Sequence, residues 1–370
     1  MIALLLAMAV TVQDSGAFIV RLGTDTLSME QYTRTANQLR GEYVIRSPRS
    51  LHRIYIADLN PDGSISRFEL TTHSIGSTPG PKEIKSSVAF SADSAVLISS
   101  QGDSTTTQRV AVPQGTWPYQ FYGFGTLEQM ARWARGKGQD TVRFTALTAA
   151  DQISGGVIRK VGTNTLVLRF DRGYLAGVGP FTFTMDRQEH ITWLTGKGST
   201  VQVNVVRETS VSMAQATAMF ANRPLGTLSP RDTARTSISG ADVSVDYGRP
   251  MKRGREIFGN VVPWNVVWRT GANEATQLST SADLVIGGAT VPAGKYTLWT
   301  LPAASGWKLI ISKQTGQWGT EYHPEQDLVR VDTKVETLAA PVEQLAIAFE
   351  SGSLTIAWDK TRVSVPVSKK

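Results

Sequence analysis

Short runs of apolar and polar residues alternate along most of the chain, and the alternation has the period of two that belongs to strands. Ile65-Ser66-Arg67-Phe68-Glu69-Leu70 shows it most plainly: one face is to be buried and the other wetted, as in an antiparallel sheet. Phe18-Ile19-Val20-Arg21-Leu22 and Leu51-His52-Arg53-Ile54-Tyr55-Ile56 carry the same β-branched and aromatic signal, and Asn60-Pro61-Asp62-Gly63 turns the chain between two strands. The pattern resumes over residues 86–99, 142–144, 156–159, 165–170 and 181–185. A turn at 186–189 then leads into 190–194, and 201–206 closes the series.

Two stretches break to a helical spacing. Thr126 can cap a helix whose apolar stripe is Leu127, Met130, Ala131 and Ala134, with Glu128 near its positive end and Gly136-Lys137-Gly138 as its stop. Met213, Ala216 and Phe220 share one face of a second helix over 212–221. A meander interrupted in this way resembles the curved, half-barrel-like sheets of envelope proteins, lipoprotein carriers among them.

At residues 222–236 the composition turns to proline, glycine and polar residues, which reads as a linker. From 237 strands return at 242–247, 284–286, 295–301, 307–311, 328–331, 345–349 and 354–358. They are separated by turns such as Pro292-Ala293-Gly294 and Ser351-Gly352, a spacing that predicts a sandwich or barrel. The expected architecture is therefore mainly β: an N-terminal curved antiparallel sheet with one or two helices over 17–221, the linker 222–236, and a C-terminal β domain over 237–370. A chain of 370 residues exceeds what one core usually serves, which agrees with two domains.

Composition narrows the setting. The net charge is +7, but residues 237–370 hold 14 Lys+Arg against 13 Asp+Glu, and the N-terminal arginines fall singly. Scattered charge of this kind argues against a nucleic-acid partner. With no cysteine there are no disulfides, thiolate metal sites or cysteine nucleophiles. Residues 1–12 (MIALLLAMAVTV) are too short to span a bilayer, for which about 20 residues are needed. They contain Ala7-Met8-Ala9, the small-x-small pattern of an export cleavage site, without a basic segment ahead of it. The expectation is an exported protein of the periplasm or outer face of the cell envelope, with 1–12 as residual export signal or an apolar first segment.

The densest chemistry lies in Trp268-Arg269-Thr270-Gly271-Ala272-Asn273-Glu274-Ala275-Thr276 and in Gly316-Gln317-Trp318-Gly319-Thr320. These motifs follow Asp246-Tyr247-Gly248-Arg249-Pro250, Arg253-Gly254-Arg255-Glu256-Ile257-Phe258-Gly259 and Val262-Pro263-Trp264, and precede Trp358-Asp359-Lys360-Thr361-Arg362-Val363. In that order, from about 243 to 367, they resemble the bacterial domain of unknown function 2911 family. The resemblance implies a β-rich, typically exported domain and carries over no catalytic residue. The N-terminal region resembles no family by its residues.

Read physically, Arg269 offers a fixed fork of donors, Asn273 an amide and Glu274 a carboxylate. One reading pairs Arg269 with Glu274 and lets Asn273 bridge to main chain, so that the motif is a polar network holding a loop, with Gly271 at its turn. The other makes it a ligand pocket floored by Trp268 and Trp318, with Gln317 and Trp264 beside it and Arg269 as the anion or hydroxyl contact. Trp264, Trp268 and Trp318 lie in loops, whereas Trp299, Trp307 and Trp358 lie within strand patterns and belong to the core.

Catalytic templates are wanting. His52, His73, His190 and His323 have no helical ligand spacing for a metal. There is no Gly-x-Ser-x-Gly elbow and no phosphate-binding or dinucleotide glycine loop, and Thr320-Glu321-Tyr322-His323-Pro324-Glu325 reads as a wet polar loop. No catalytic residue, metal or cofactor is assigned. The first functional expectation is a non-enzymatic envelope interaction module with a protein partner, an accessory or stabilising subunit of a membrane complex. The second is a small-ligand or carbohydrate-binding protein, hydrolytic or not, using the Trp/Arg/Asn/Glu cluster. The third is a carrier of an apolar ligand in the N-terminal half-barrel.

Overall fold

A computed structural model describes residues 14–370 apart from 78, 79, 149, 150, 174, 177 and 200. The apolar segment 1–12 lies outside the described residues. The chain divides into two compact units, the first ending at Gly226 and the second running Thr227–Lys370. Part of the stretch expected as linker is strand: Arg231–Ile238 pairs with Ala241–Gly248, across a turn in which Ser239 and Gly240 have positive φ. Its polar composition misleads because it is an edge strand with no fully buried residue.

In the first unit fifteen strands make one curved sheet. The first eight, from Asp14–Leu22 to Ser104–Ala111, form one antiparallel meander, and the strands from Thr141–Leu147 to Asn204–Glu208 form another. They join where Asp14–Leu22 pairs with Asn204–Glu208, placing Phe18 opposite Arg207. Two of these strands escape the sequence pattern: Asp25–Arg34 because its buried positions include Ser28 and Glu30, and Gln38–Ile45 because Tyr43, Val44 and Ile45 are buried in succession without alternation.

Helix α1 (Phe124–Gly136) lies on this sheet with Phe124, Leu127, Met130, Ala131 and Ala134 buried, and Phe124 meets Phe18 edge to face at 6.2 Å. The gap left beside it, lined by Tyr119, Phe121, Phe124, Leu127, Met130 and Phe181 among others, is about 30 Å³, room for a water or two. Helix α2 (Met213–Phe220) buries Met213, Ala216 and Phe220, and the Ser212 hydroxyl caps it by accepting from the Gln215 N–H at 3.3 Å.

The cap of α1 is not Thr126. The helix starts at Phe124, and its first amides are taken by a carboxylate from the sheet: Glu30 accepts from the N–H groups of Phe124 and Gly125, the latter at 3.0 Å, and from Tyr55 Oη at 2.7 Å. A residue far away in sequence therefore supplies the helix N-terminus with the negative charge it favours. Burial nevertheless pushes the Glu30 carboxyl up from 4.5 to about 7, against the pull of Tyr55 and the two amides.

The unfolded chain thus loses this proton near 4.5 and the folded chain near 7, so between them the folded state holds more protons. Stability must fall as pH rises through that window, at up to about 1.4 kcal/mol per pH unit. Chemical denaturation of the N-terminal unit at pH 4.5 to 7 should show this slope, and Glu30→Gln should flatten it. Identical profiles for the two proteins would contradict it.

The second unit is a sandwich. One sheet orders Arg231–Ile238, Ala241–Gly248, Thr276–Thr280, Gly294–Leu301, Lys308–Ser312 and Asp327–Asp332; the other orders Ala289–Val291, Leu284–Ile286, Ser353–Lys369 and Lys334–Glu350. Val243, Val245, Leu278, Leu298 and Leu309 of the first sheet share one core with Ile286, Leu354, Ile356, Val363 and Val365 of the second. The alternate residues of the first sheet face outward, where Ala275, Trp299 and Ile310 form a second buried cluster with Val267, Leu301 and Tyr322 packed on it. Among the described residues no helix is long and apolar enough to cross a membrane, which says nothing of crossing by strands.

Candidate functional site

The first motif begins as a strand and then leaves the sheet. Trp268 exchanges both main-chain hydrogen bonds with Thr300, at 2.8 and 2.9 Å, and Thr276 stands opposite Leu298. While the partner strand steps from Thr300 to Leu298, the motif runs from 268 to 276, so residues 269–275 loop out of the sheet line. Thr270 and Asn273 turn this loop with φ of 53° and 63°. Such a φ is unfavourable for a β-branched residue. Thr270 is wholly buried and held there: its Oγ1 donates to Thr300 Oγ1 at 3.2 Å, and its carbonyl accepts from Thr276 Oγ1 at 3.1 Å. Gly271 is needed for close approach and not for a left-handed turn, since a Cβ there would stand 2.8 Å from Thr276 Oγ1.

The second motif docks on this loop. Gly319 N–H donates to the Asn273 carbonyl at 2.9 Å, Ala275 N–H donates to the Gln317 carbonyl at 3.2 Å, and Glu274 and Trp318 form a bridge. A Cβ on Gly319 would lie 2.2 Å from Arg269 Cδ and 2.5 Å from the Asn273 oxygen. Glycine at 319 is what lets the Arg269 stem lie beneath this chain.

The expected pairing of Arg269 with Glu274 does not form. Beyond the left-handed Asn273 the chain points Glu274 outward, where it is exposed and meets Arg231 at 3.3 Å. Asn273 contributes its carbonyl, and Gln317 is buried, its Nε2 donating to Thr297 Oγ1 at 3.1 Å. The three loop tryptophans also separate. Trp268 stacks on Trp358 at 5.9 Å and 17° and packs against the sandwich core, Trp264 leans on Phe258 at 6.1 Å with 40% of its surface exposed, and Trp318 is half-buried. The expected floor of Trp268 with Trp318 is therefore divided: Trp268 turns inward and Trp318 stays with the loop that covers Arg269.

Register brings in residues that the sequence reading passed over. Trp268 stands opposite Thr300, whose neighbour Trp299 pairs with Ile310, and Ile310 with Arg330. Val267 packs on the outward cluster that holds Trp299, Trp268 packs on the inner core, and Arg269 opens the loop with its stem against Gly319. Tyr322 meets Trp299 edge to face at 5.0 Å; its hydroxyl donates to Asp327 Oδ2 at 2.7 Å and accepts from Arg330 Nη2 at 2.8 Å. Burial first, and then Asp327, push the Tyr322 phenol up to about 12. The only local hint in sequence was the crowding of polar groups after Trp318. His323 itself pairs with Glu325 at 3.1 Å in an exposed loop.

Arg269 differs from its neighbours. Burial alone pushes it down to about 10, its Nε is enclosed with no acceptor, and among the described residues no carboxylate lies within ion-pair distance of it. The indole N–H groups of Trp299 and Trp318 are likewise enclosed and unpaired, as are the acceptors Gln314 Oε1 and Asp327 Oδ1. Among the described residues no set of three His, Asp or Glu side chains is placed to hold a metal.

Comparison with known proteins finds a family match over the region that holds this site. Residues 229–367 match the family described as Protein of unknown function (DUF2911), and both motifs lie inside the match. No curated protein matches the chain. Among solved structures, a DUF1089 family protein from Pseudomonas aeruginosa is similar at 11% identity and a TM-score of 0.33, over 46% of this chain and 90% of that one. A beta-barrel-like protein of the domain of unknown function DUF1849 from Brucella abortus is similar at 10% identity and a TM-score of 0.35, over 54% of this chain and 97% of that one.

Proposed function

We propose that the protein is a non-enzymatic interaction module, exported to the periplasm or outer face of the cell envelope, where it serves as an accessory or stabilising subunit of a membrane-anchored assembly. The observation that carries this reading is the tip formed by Trp264 and Val266, which are 40% and 52% exposed. Asn265 between them has φ of 62°, and its N–H is tied to the Pro302 carbonyl at 2.7 Å. Two large apolar side chains are thus presented on a fixed turn. Exposed tryptophan on a rigid support is the usual anchor of a protein contact, because little entropy is lost when it is covered. Export is supported by the apolar segment 1–12 and its Ala-x-Ala pattern.

A photo-crosslinking amino acid in place of Trp264, expressed in cells of the native type, should give one discrete adduct in the envelope fraction. Val266→Ser should remove that adduct while leaving the protein folded. A protein that fractionates with the cytoplasm, or that gives no discrete adduct from the envelope, would count against the reading.

A further inference from the structure

We propose that Arg269, with Trp318 beside it, is a binding site for a small oxyanion-bearing ligand, a carboxylate or a phosphate, on the outward face of the six-stranded sheet. The inference is independent of the Trp264 tip and of any protein partner. It begins from a contrast within the chain. Several other part-buried arginines have a carboxylate, Arg34 and Arg132 at Asp14 and Arg207 at Glu128 at 2.9 Å, and Arg53, which has none, donates to Tyr43 Oη at 3.3 Å. A guanidinium withdrawn from water without such a partner is costly. Arg269 has none, and nearby carboxylates are engaged elsewhere, Glu274 by Arg231 and Asp327 by Arg330 at 2.7 Å.

The surroundings fix Arg269 in that state. Its stem is clamped between the sheet and Gly319, its Nε is enclosed, and its residue as a whole is part-exposed, so the two terminal nitrogens form the edge that reaches the surface. The loop that carries it is turned by two non-glycine residues of positive φ, one of them β-branched. Conformations of this kind persist where surrounding structure over-determines them, and they cluster at binding sites. A planar fork with two free donors matches a carboxylate or phosphate in bidentate fashion. The half-buried Trp318, next to the Gly319 that covers the Arg269 stem, offers a flat apolar surface to the body of a ligand.

The test uses the full chain with inorganic phosphate, benzoate, glucuronate and neutral glucose as probes, each against sodium chloride of equal ionic strength. At least one anion should raise the melting temperature of the C-terminal transition and shift the Arg269 Nε–H resonance, with glucose inactive. Phosphate alone would identify a phosphoryl source, and benzoate or glucuronate alone a carboxylate source; both outcomes support the site. Arg269→Met should abolish the shift and, because it removes an uncompensated cation, should raise the melting temperature of the ligand-free protein. A ligand-free Arg269→Met that melts lower would mark Arg269 as a structural residue and overturn the proposal. So would a wild-type protein whose Arg269 resonance answers no anion beyond the chloride control, or one that answers glucose equally.

Discussion

Glu128→Ala is expected to lower the unfolding free energy of the N-terminal unit by about 3–5 kcal/mol, the range for breaking one partner out of a buried ion pair. The Glu128 side chain is 1% exposed. It takes hydrogen bonds from Arg207 Nη1 at 2.9 Å, from the Ile191 N–H at 2.7 Å and from Tyr32 Oη, and Arg132 stands at 3.6 Å. These donors come from three separate strands and from the helix itself, so the carboxylate is the point at which α1 is tied to both meanders. Alanine would leave a phenol and an amide enclosed without an acceptor and the Arg207 guanidinium without its carboxylate, with only Tyr32 Oη and the Ser15 carbonyl left to it. Urea denaturation followed by circular dichroism measures the loss. The double substitution Glu128→Leu with Arg207→Leu should cost much less than the two single ones added, because it removes both charges. A single-site loss below about 1 kcal/mol would mean that water already serves those donors.

The same residue shows where sequence reasoning stops. Glu128 sits early in a helix with an apolar stripe, and from sequence it is a favourable charge at the positive end. In the structure the helix amides are served by Glu30, and Glu128 is spent on the sheet. Local rules locate α1 and its end at Gly136 because those follow from spacing and from glycine. They cannot reveal that a carboxylate on a distant strand would cap it, since nothing near either residue encodes the meeting. The strand Ser104–Ala111 is hidden for another reason: nearly every residue in it is exposed, so it has no apolar alternation to read.

The C-terminal motifs were conspicuous in sequence and they meet at the bridge of Glu274 with Trp318, yet the partners within them were not legible. Arg269 with Glu274 is the natural pairing on paper, because opposite charges so close along a loop can usually reach each other. The left-handed turn at Asn273 decides otherwise. Trp299 was assigned to the core from its strand pattern and is buried, but in the outward cluster with Ile310 and Ala275 and not between the two sheets. Period two says which residues share a face. It does not say that a loop will roof the outer face and make a second interior there.

Trp358→Ala is expected to cost the C-terminal unit about 3–5 kcal/mol, as large aromatic truncations in a packed core do. Trp358 is 2% exposed, stacks on Trp268, meets Phe258 edge to face at 6.4 Å and donates from Nε1 to the Glu343 carbonyl at 3.3 Å. Alanine would open a cavity under Trp268 and remove one of the two donors to that carbonyl, which keeps the Lys252 N–H at 2.7 Å, whereas Trp264→Ser, at an exposed position, should change stability by no more than about 0.5 kcal/mol. Trp358→Phe should fall between the two, since it keeps a ring but loses the N–H. The effect should also travel. Trp268 is the last residue in register with Thr300 before the chain departs into the loop, so losing its stacking partner loosens the point from which Arg269 is aimed. The Arg269 Nε–H resonance should therefore broaden or move in Trp358→Ala although the two residues face opposite sides of the sheet. If stability falls and that resonance stays unchanged, the loop is held by Thr270 and Gly319 alone, and the sandwich core plays no part in positioning the arginine.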